Sequence, residues 1–355
     1  MRVAMIAPLE MRVPPIGYGG TELVVSLLTE GLVSEGHDVT LFASGDSVTT
    51  ARLVAGSEEF LRGTEHDKPI LNMLNVLNCM ERLDEFDLIH NHTTFEGFSM
   101  AGLVEAPMLT TLHGEIAGDW DLLFQHYKGW YNAISKSALS LLPPKNRCVG
   151  AVYNAIDFST YPFNPGPREE FLLYLSRISP EKGTHIAIEV AKQADRKLKI
   201  AGNVDDVDRE YFENVVLPEV DGELIEYVGE ADLDMKRDLM SQADRLLAPI
   251  TWNEPFGLFM VEAMACGAPV VAFRLGSVPE IVDEGVTGYV VGTVPEMISR
   301  LDDIGGIDRA VCRSTAEARF DVSRMVRDYV SAYKRVLSKT EYQISPPLLP
   351  VPIVA

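Results

Sequence analysis

Two acids and two cations stand out by type and spacing. Glu254 and Glu262 lie eight positions apart, with Pro255, Phe256 and Gly257 directly after the first. Pro255 fixes φ and Gly257 permits a tight backbone path, so this segment is turn chemistry. Leu258 to Cys266 is made of helix formers and stops at Gly267, a residue suited to ending a helix. The amides at Phe256, Gly257 and Leu258 open that helix, lack intrahelical acceptors and carry partial positive charge. A phosphate is welcome there, and Gly257 removes the side chain that would block it. Glu254, at the mouth, is placed to accept hydrogen bonds from hydroxyls. Glu262, two helical turns deeper, is placed to hold a diol such as a ribose. The plainer alternative is a pair of solvated carboxylates on an ordinary α/β helix.

Arg177 and Lys182 stand across a Ser-Pro turn, just before Gly183. A diphosphate needs such a site, because Arg offers a planar fork and Lys a point charge. The plainer alternative is a surface Arg/Lys pair with Glu181 as partner.

The elements that must position these groups follow from apolar runs. Leu246 to Ile250 reads as the strand before Glu254, and Ala268 to Phe273 as the strand after its helix. Phe171 to Leu175 precedes Arg177, and Leu198 to Ala201 and Ile225 to Gly229 are further strands. Lys236 to Gln242 reads as a short helix. Val3 to Ala7, a Pro/Gly-rich crossing, a helix from Thr21 to Ser34 and a strand at Val39 to Ala43 form a βαβ unit, which implies a parallel sheet. The crossing contains Gly17-Tyr18-Gly19-Gly20 but lacks dinucleotide spacing, and its length suits a flexible lid. Leu71 to Leu83 reads as helical. Strands at Phe86 to Ile89 and Leu109 to Leu112 end in His90-Asn91-His92 and His113-Gly114. Strand C-termini in such a sheet face the ligand crevice, so His92 and His113 are placed for chemistry. Strand alternation points His90 away from His92. Tyr131 to Lys136 reads as a further strand and turn. Residues 157–168 read as an interdomain linker. Asp321 to Leu337 is an amphipathic helix, and Pro346 to Ala355 a Pro-rich tail.

The stretch NEPFGLFMVEAMACGAPVVAF (253–273) resembles the E-x7-E signature of the retaining glycosyltransferases of family four, which have the GT-B architecture. Other segments carry the same resemblance. Gly19, Gly20 and Glu22 match a GG-x-E turn that touches the acceptor or the donor phosphate. Thr111-Leu112-His113-Gly114 matches the ending whose histidine meets the donor sugar, and His92 falls on the acceptor side. Arg177 and Lys182 match the phosphate clamp R-x4-KG. Gly202 and Val228 fall at the turns that hold the nucleotide base. YNAISK (131–136) matches an AxS-x-S segment, and NAID (154–157) an "NGID" ending with Ala155 for glycine. Gly276 to Val282 and Gly285 to Gly288 match "GGxPEIV…GxTG", with Ser277 for the second glycine.

The resemblance implies an α/β protein of two Rossmann-like parallel-sheet domains that close on each other across a cleft. Residues 1–157 would be the acceptor domain, with helix 321–338 packing back on it, and residues 168–320 the nucleotide-sugar domain. It implies transfer of a glycosyl group to a hydroxyl with retention. Arg177, Lys182 and the Phe256–Leu258 amides neutralise the departing diphosphate. Glu254 positions the sugar, and His113 completes the catalytic set. No cofactor or metal is implied. The donor expected first is UDP-glucose, with GDP-mannose, ADP-glucose and UDP-N-acetylglucosamine open, and the acceptor is a saccharide hydroxyl. The rivals are a sugar-nucleotide epimerase, a phosphorylase, for which no pyridoxal lysine site is seen, and an idle nucleotide-sugar-binding protein.

The totals agree. At 355 residues the chain suits two domains, and 46% hydrophobic with 23% charged residues suits a globular protein. A net charge of −21 argues against nucleic-acid binding and against docking on anionic lipid. No run has the length of a membrane span, and MRVAMIAPLE reads as a strand rather than a signal peptide. Cys79, Cys148, Cys266 and Cys312 are scattered, which suggests a reducing, cytoplasmic setting and no structural zinc. The DxD pairs at Asp119/Asp121, Asp206/Asp208 and Asp232/Asp234 carry little weight in so acidic a chain, although one of them could take up a metal incidentally.

Overall fold

A computed structural model describes residues 1–340 except 18, 94, 115, 117, 143–146, 164 and 167, and omits the side chains of 121, 304 and 340. Tyr18 of the glycine-rich turn, the side chain of Asp121 and the tail Pro346 to Ala355 therefore lie outside the described residues.

Among the described residues, short apolar runs form thirteen strands. In the first half they are β1 (Arg2–Ile6), β2 (Asp38–Ser44), β3 (Arg52–Ser57), β4 (Leu88–Asn91), β5 (Met108–Leu112), β6 (Trp130–Ala133) and β7 (Cys148–Ala151). In the second they are β8 (Phe171–Leu175), β9 (Lys197–Ala201), β10 (Ile225–Gly229), β11 (Arg245–Ala248), β12 (Val270–Phe273) and β13 (Gly288–Val291). The first set lies in the order β3-β2-β1-β4-β5-β6-β7 and the second in the order β10-β9-β8-β11-β12-β13. Every pairing within them is parallel. Val3 to Ile6 are fully buried in succession, as expected of a parallel strand covered on both faces. This is the pair of doubly wound α/β sheets that the resemblance implies.

In each sheet the strand order reverses once, between β1 and β4 and between β8 and β11. Ligands of open α/β sheets sit beyond the carboxyl ends of the strands at such a reversal. The glycine-rich crossing leaves β1, His92 follows β4, Arg177 follows β8 and Glu254 follows β11.

The last helix, Val322–Thr340, lies against the first sheet. It buries Met325, Val326, Tyr329, Tyr333 and Val336 with Val24, Val25, Leu28 and Leu32 of the helix Gly20–Ser34. This helix thus completes the core that the first strand and helix begin.

Four features differ from the sequence reading. β3, β7 and β13 have no clear strand signal and all lie at sheet edges; β3 is nowhere fully buried and shows no alternation. The segment read as a linker is packed, with Phe158 and Tyr161 buried in the second core and Arg313 donating to their carbonyls at 2.8 and 3.0 Å. The glycine-rich crossing is tied down rather than free. Leu9 N donates to Asn72 Oδ1 and Val13 N to Ser47 Oγ, both at 2.9 Å. The short helix near Lys236 begins earlier, at Leu233, where Asp232 caps it.

Gly31 marks a close contact between the first helix and the last. A Cβ there would lie 2.3 Å from Val326 Cγ2. Gly31→Leu gains up to about 1 kcal/mol of helix propensity but overpacks the interface at a cost of about 1–3 kcal/mol. Chemical denaturation is expected to show a lowered midpoint for this variant, and an unchanged or raised midpoint would show that the two helices are not tightly packed.

Candidate functional site

The loops after β8 and β11 are bolted together by backbone. Thr251 N donates to Glu181 O at 2.8 Å. Gly183, at φ 76°, is required here, since a Cβ would stand 2.0 Å from Pro249 O. The bolt brings Lys182 to Glu254: Lys182 Nζ donates to Glu254 Oε2 at 2.6 Å, and Trp252 Nε1 donates to the same oxygen at 3.1 Å. Lys182 also stands over the Trp252 ring, 4.6 Å from its centroid. Residues Lys182 and Glu254 are 8% and 7% exposed, so the charges are paired away from bulk water. The turn that carries Glu254 is clamped from the far side. Ser277 N donates to Glu254 O and Ser277 Oγ to Phe256 O, at 2.9 and 2.8 Å. Gly276 has no room for a side chain, because a Cβ would meet Glu254 N at 2.3 Å. Serine in the place of the second glycine is thus part of the clamp.

Gly257, at φ 82°, opens the helix Leu258–Ala265 without a side-chain cap. Phe256 is buried in the second core. Across the cleft, a Cβ on Gly20 would lie 3.7 Å from Leu258 Cδ1. The helix starting at Gly20 and the helix starting at Leu258 therefore bring their N-terminal ends together, and both ends favour anions. Gly19 precedes the first of them against Pro15. Ser137, Ala138 and Leu141 of the first half line a pocket with Asn253, Glu254 and Pro255 of the second.

Glu262 lies one turn into its helix rather than two, because the helix begins only at Leu258. It is 3% exposed and accepts from Tyr161 Oη at 2.7 Å and Lys236 Nζ at 2.6 Å. Both bonds fall on Oε1.

Arg177 is surrounded by acids. It pairs with Glu181, with Asp205 at 3.4 Å and with Asp208 at 3.8 Å. The Glu181 pairing is the plainer alternative raised from sequence, and it coexists with the other two. Asp205 is shared, since Arg62 of the first half reaches it at 2.7 Å. Gly202 follows β9 where a Cβ would meet Ser176 O at 1.8 Å, and its carbonyl accepts from Tyr227 Oη at 2.9 Å. Val228, on the edge strand β10, packs against the core of its own sheet. The aspartate pairs have structural partners: Asp206 pairs with Arg209, Asp208 with Arg177, and Asp232 caps its helix. Among the described residues no three His, Cys, Asp or Glu gather as metal ligands.

The histidines correct the sequence reading. β4 ends at Asn91, so His92 is past the strand and alternation no longer governs it. The rings of His90 and His92 lie 4.0 Å apart, and His92 Nδ1 is 2.8 Å from His113 Nε2. Burial depresses all three, His113 to about 4. Glu22, in the first turn of its helix, is 5% exposed and is pushed up to about 7 by burial.

Sequence reasoning missed Trp252, Tyr161, Lys236, Arg62 and Glu280. Trp252 was findable, two residues before Glu254 in one turn. The others reach the site across the fold. Glu280 accepts from the amides of Lys136 and Ser137 at 2.9 and 2.5 Å and from Tyr153 Oη at 2.8 Å, which ties the two halves together.

Glu22 gives a pH test. Its folded pKa of about 7 lies above its ordinary 4.5, so its contribution is fully present below pH 4.5 and lost as pH rises through 7. The loss is up to about 3 kcal/mol. The buried histidines, all depressed, act oppositely below 6.5, so the two proteins must be compared at each pH. Denaturation of wild type and Glu22→Gln is expected to show the variant gaining on wild type from pH 4.5 to 8. Parallel pH profiles would remove the buried carboxyl from this account.

Comparison with known proteins identifies the family. A family model described as Glycosyltransferase Family 4 matches residues 18–148, and one described as Glycosyl transferases group 1 matches residues 159–301. An uncharacterized glycosyltransferase of Methanocaldococcus jannaschii is 25% identical, over 88% of this chain and 89% of its own. Sucrose-phosphate synthase from Thermosynechococcus elongatus superposes with a TM-score of 0.81 at 18% identity, covering 95% of this chain and 99% of that one. HepE of Anabaena, solved in complex with UDP and glucose, superposes with a TM-score of 0.73 at 19% identity, covering 94% and 100%. The two family matches lie one on each sheet and together span most of the sequence, so this chain belongs to the family 4 glycosyltransferases and has their GT-B architecture.

Proposed function

We propose that this glycosyltransferase moves glucose from UDP-glucose to a saccharide hydroxyl with retention at the anomeric carbon, without a metal, in the cytoplasm. GDP-mannose is the second donor to consider. The observation that carries the reading is the buried Lys182–Glu254 pair beside an open helix end, with Arg177 on the same turn. A leaving nucleoside diphosphate develops negative charge, and preorganised donors aimed at it supply the largest catalytic contribution. Lys182 and the amides at Gly257 and Leu258 are such donors. Arg177 joins them once phosphate oxygens compete for it with Glu181, Asp205 and Asp208.

Glu254, oriented by Lys182 and Trp252, accepts hydroxyls of the sugar. Glu262 keeps Oε2 for the ribose while Oε1 holds Tyr161 and Lys236. Gly202 and Val228 border the base. Gly19 and Gly20 bring the first domain to the phosphates, and Glu22, His92 and His113 stand on the sugar and acceptor side. No side chain is assigned as nucleophile. The departing phosphate draws the acceptor proton, and the carboxylate of Glu254 positions. The neighbour solved with UDP and glucose supports this choice of donor. Among the described residues no helix is long and apolar enough to cross a membrane.

Thermal unfolding in the presence of UDP-glucose, GDP-mannose and their diphosphates tests the donor. Ligand at 100 times Kd is expected to stabilise by about 2.7 kcal/mol, and UDP-glucose is expected to stabilise most. No shift with any sugar nucleotide would overturn the reading. Lys182→Ala, assayed with EDTA present, is expected to lower turnover about 10²- to 10³-fold. It also leaves Glu254 as an unpaired buried charge, a cost of about 3–5 kcal/mol. Lys182→Ala with Glu254→Gln is expected to recover stability without recovering turnover. Turnover near wild type in either variant would remove Lys182 from the diphosphate site.

A further inference from the structure

The three clustered histidines are joined in a line whose proton positions can be worked out from its far end. Asn132 Nδ2 donates to Ala133 O at 3.4 Å and to Tyr329 Oη at 3.3 Å, which leaves Oδ1 as the acceptor. Thr111 Oγ1 donates its one proton to that oxygen at 2.8 Å. Its two remaining neighbours, Tyr329 Oη at 3.1 Å and His90 Nε2 at 2.7 Å, must therefore both donate to it. His90 then carries its proton on Nε2, and its Nδ1 accepts. Two groups meet that Nδ1: Tyr333 Oη at 2.7 Å and His92 Nε2 at 3.2 Å. They share its single lone pair in a three-centre bond, with His92 as the longer arm, so His92 is protonated on Nε2 and its Nδ1 accepts from His113 Nε2 at 2.8 Å. One proton per ring satisfies every contact, and a second proton on His90 or His92 would set a donor against a donor.

We infer that His92 and His90 are positioning residues that hold His113 as its Nε2–H tautomer, that Thr111 sets the direction of the relay, and that the group met by His113 Nδ1 must be a hydrogen-bond donor. Under the proposed function, on which this last step rests, the donor sugar presents a hydroxyl to His113. A carboxylate or a missing hydroxyl at that place is selected against. Burial, which keeps all three rings neutral, agrees with the geometry. The relay also has an architectural consequence. Tyr329 and Tyr333 belong to the last helix, so residues more than two hundred positions away help to orient a ring in the cleft.

Long-range proton–nitrogen NMR of protein labelled with ¹⁵N-histidine reads each ring nitrogen directly. With His113→Gln used for assignment, wild-type His113 is expected to show a protonated Nε2 and a bare Nδ1. A protonated Nδ1, or a mixture of tautomers, would overturn the relay. Thr111→Val removes the acceptor for His90 Nε2, so each ring can reverse and His113 is expected to convert to Nδ1–H. In the same variant the donor KM is expected to rise about tenfold, with kcat less affected, and Thr111→Ser is expected to restore both readouts. If Thr111→Val leaves the His113 tautomer unchanged, Thr111 does not set the direction. The NMR signature with no transfer from any sugar nucleotide would sink the proposed function and leave the relay standing. Transfer with the opposite tautomer would sink the relay alone.

Discussion

The ion pair between Lys182 and Glu254 is the constraint around which the second half is arranged. Removing two charges from water costs several kcal/mol per ion, and their mutual attraction rarely returns more than that. A pair at 2.6 Å with both residues under 10% exposed is therefore a poor device for stability alone. The protein surrounds it with supports: the bolt between Thr251 and Glu181, the Trp252 indole, the Ser277 clamp, and two glycines where backbone leaves no room for a Cβ. Supports of this density keep two charged groups in one geometry, which is the layout that the proposed function needs.

The features legible in the sequence were local. Pro255 and Gly257 dictate a turn by their own φ preferences, and the helix formers between Leu258 and Gly267 dictate the helix after it. Apolar runs bounded by turn residues gave β8 and β10 to the residue. Longer-range features were not legible. The pairing of Glu262 with Tyr161 and Lys236 joins residues 101 and 26 positions apart, and no spacing rule reaches that far. Alternation along a strand misplaced His90, because the rule holds only inside the ladder and His92 lies beyond it. Edge strands such as β3 escape notice because half-exposure dilutes the apolar pattern. Phe158 and Tyr161 sit in a Pro- and Gly-rich segment that looks like a tether, yet their rings are large enough to anchor it to the core.

The two sheets do not meet only at the cleft. The last helix belongs by packing to the first sheet and by sequence to the second, so chain connectivity crosses between the halves at both 157 and 321. Ile156 and Asp321 form a parallel bridge at that crossing. Glu280 adds a polar tie by accepting two amides at the start of the helix Lys136–Ser140. Relative movement of the halves must pivot about these attachments, and the Arg177 and Gly20 loops lie away from them in sequence and sit at the strand ends.

Asp205 is held from one side by Arg177 and from the other by Arg62. A carboxylate shared between two guanidiniums acts as an exchangeable counter-ion. Under the proposed function, a phosphate that draws Arg177 away would release negative charge to the arginine of the opposite half. Ligand capture and inter-domain attraction would then be two readings of one thermodynamic cycle, each strengthening the other by the same factor.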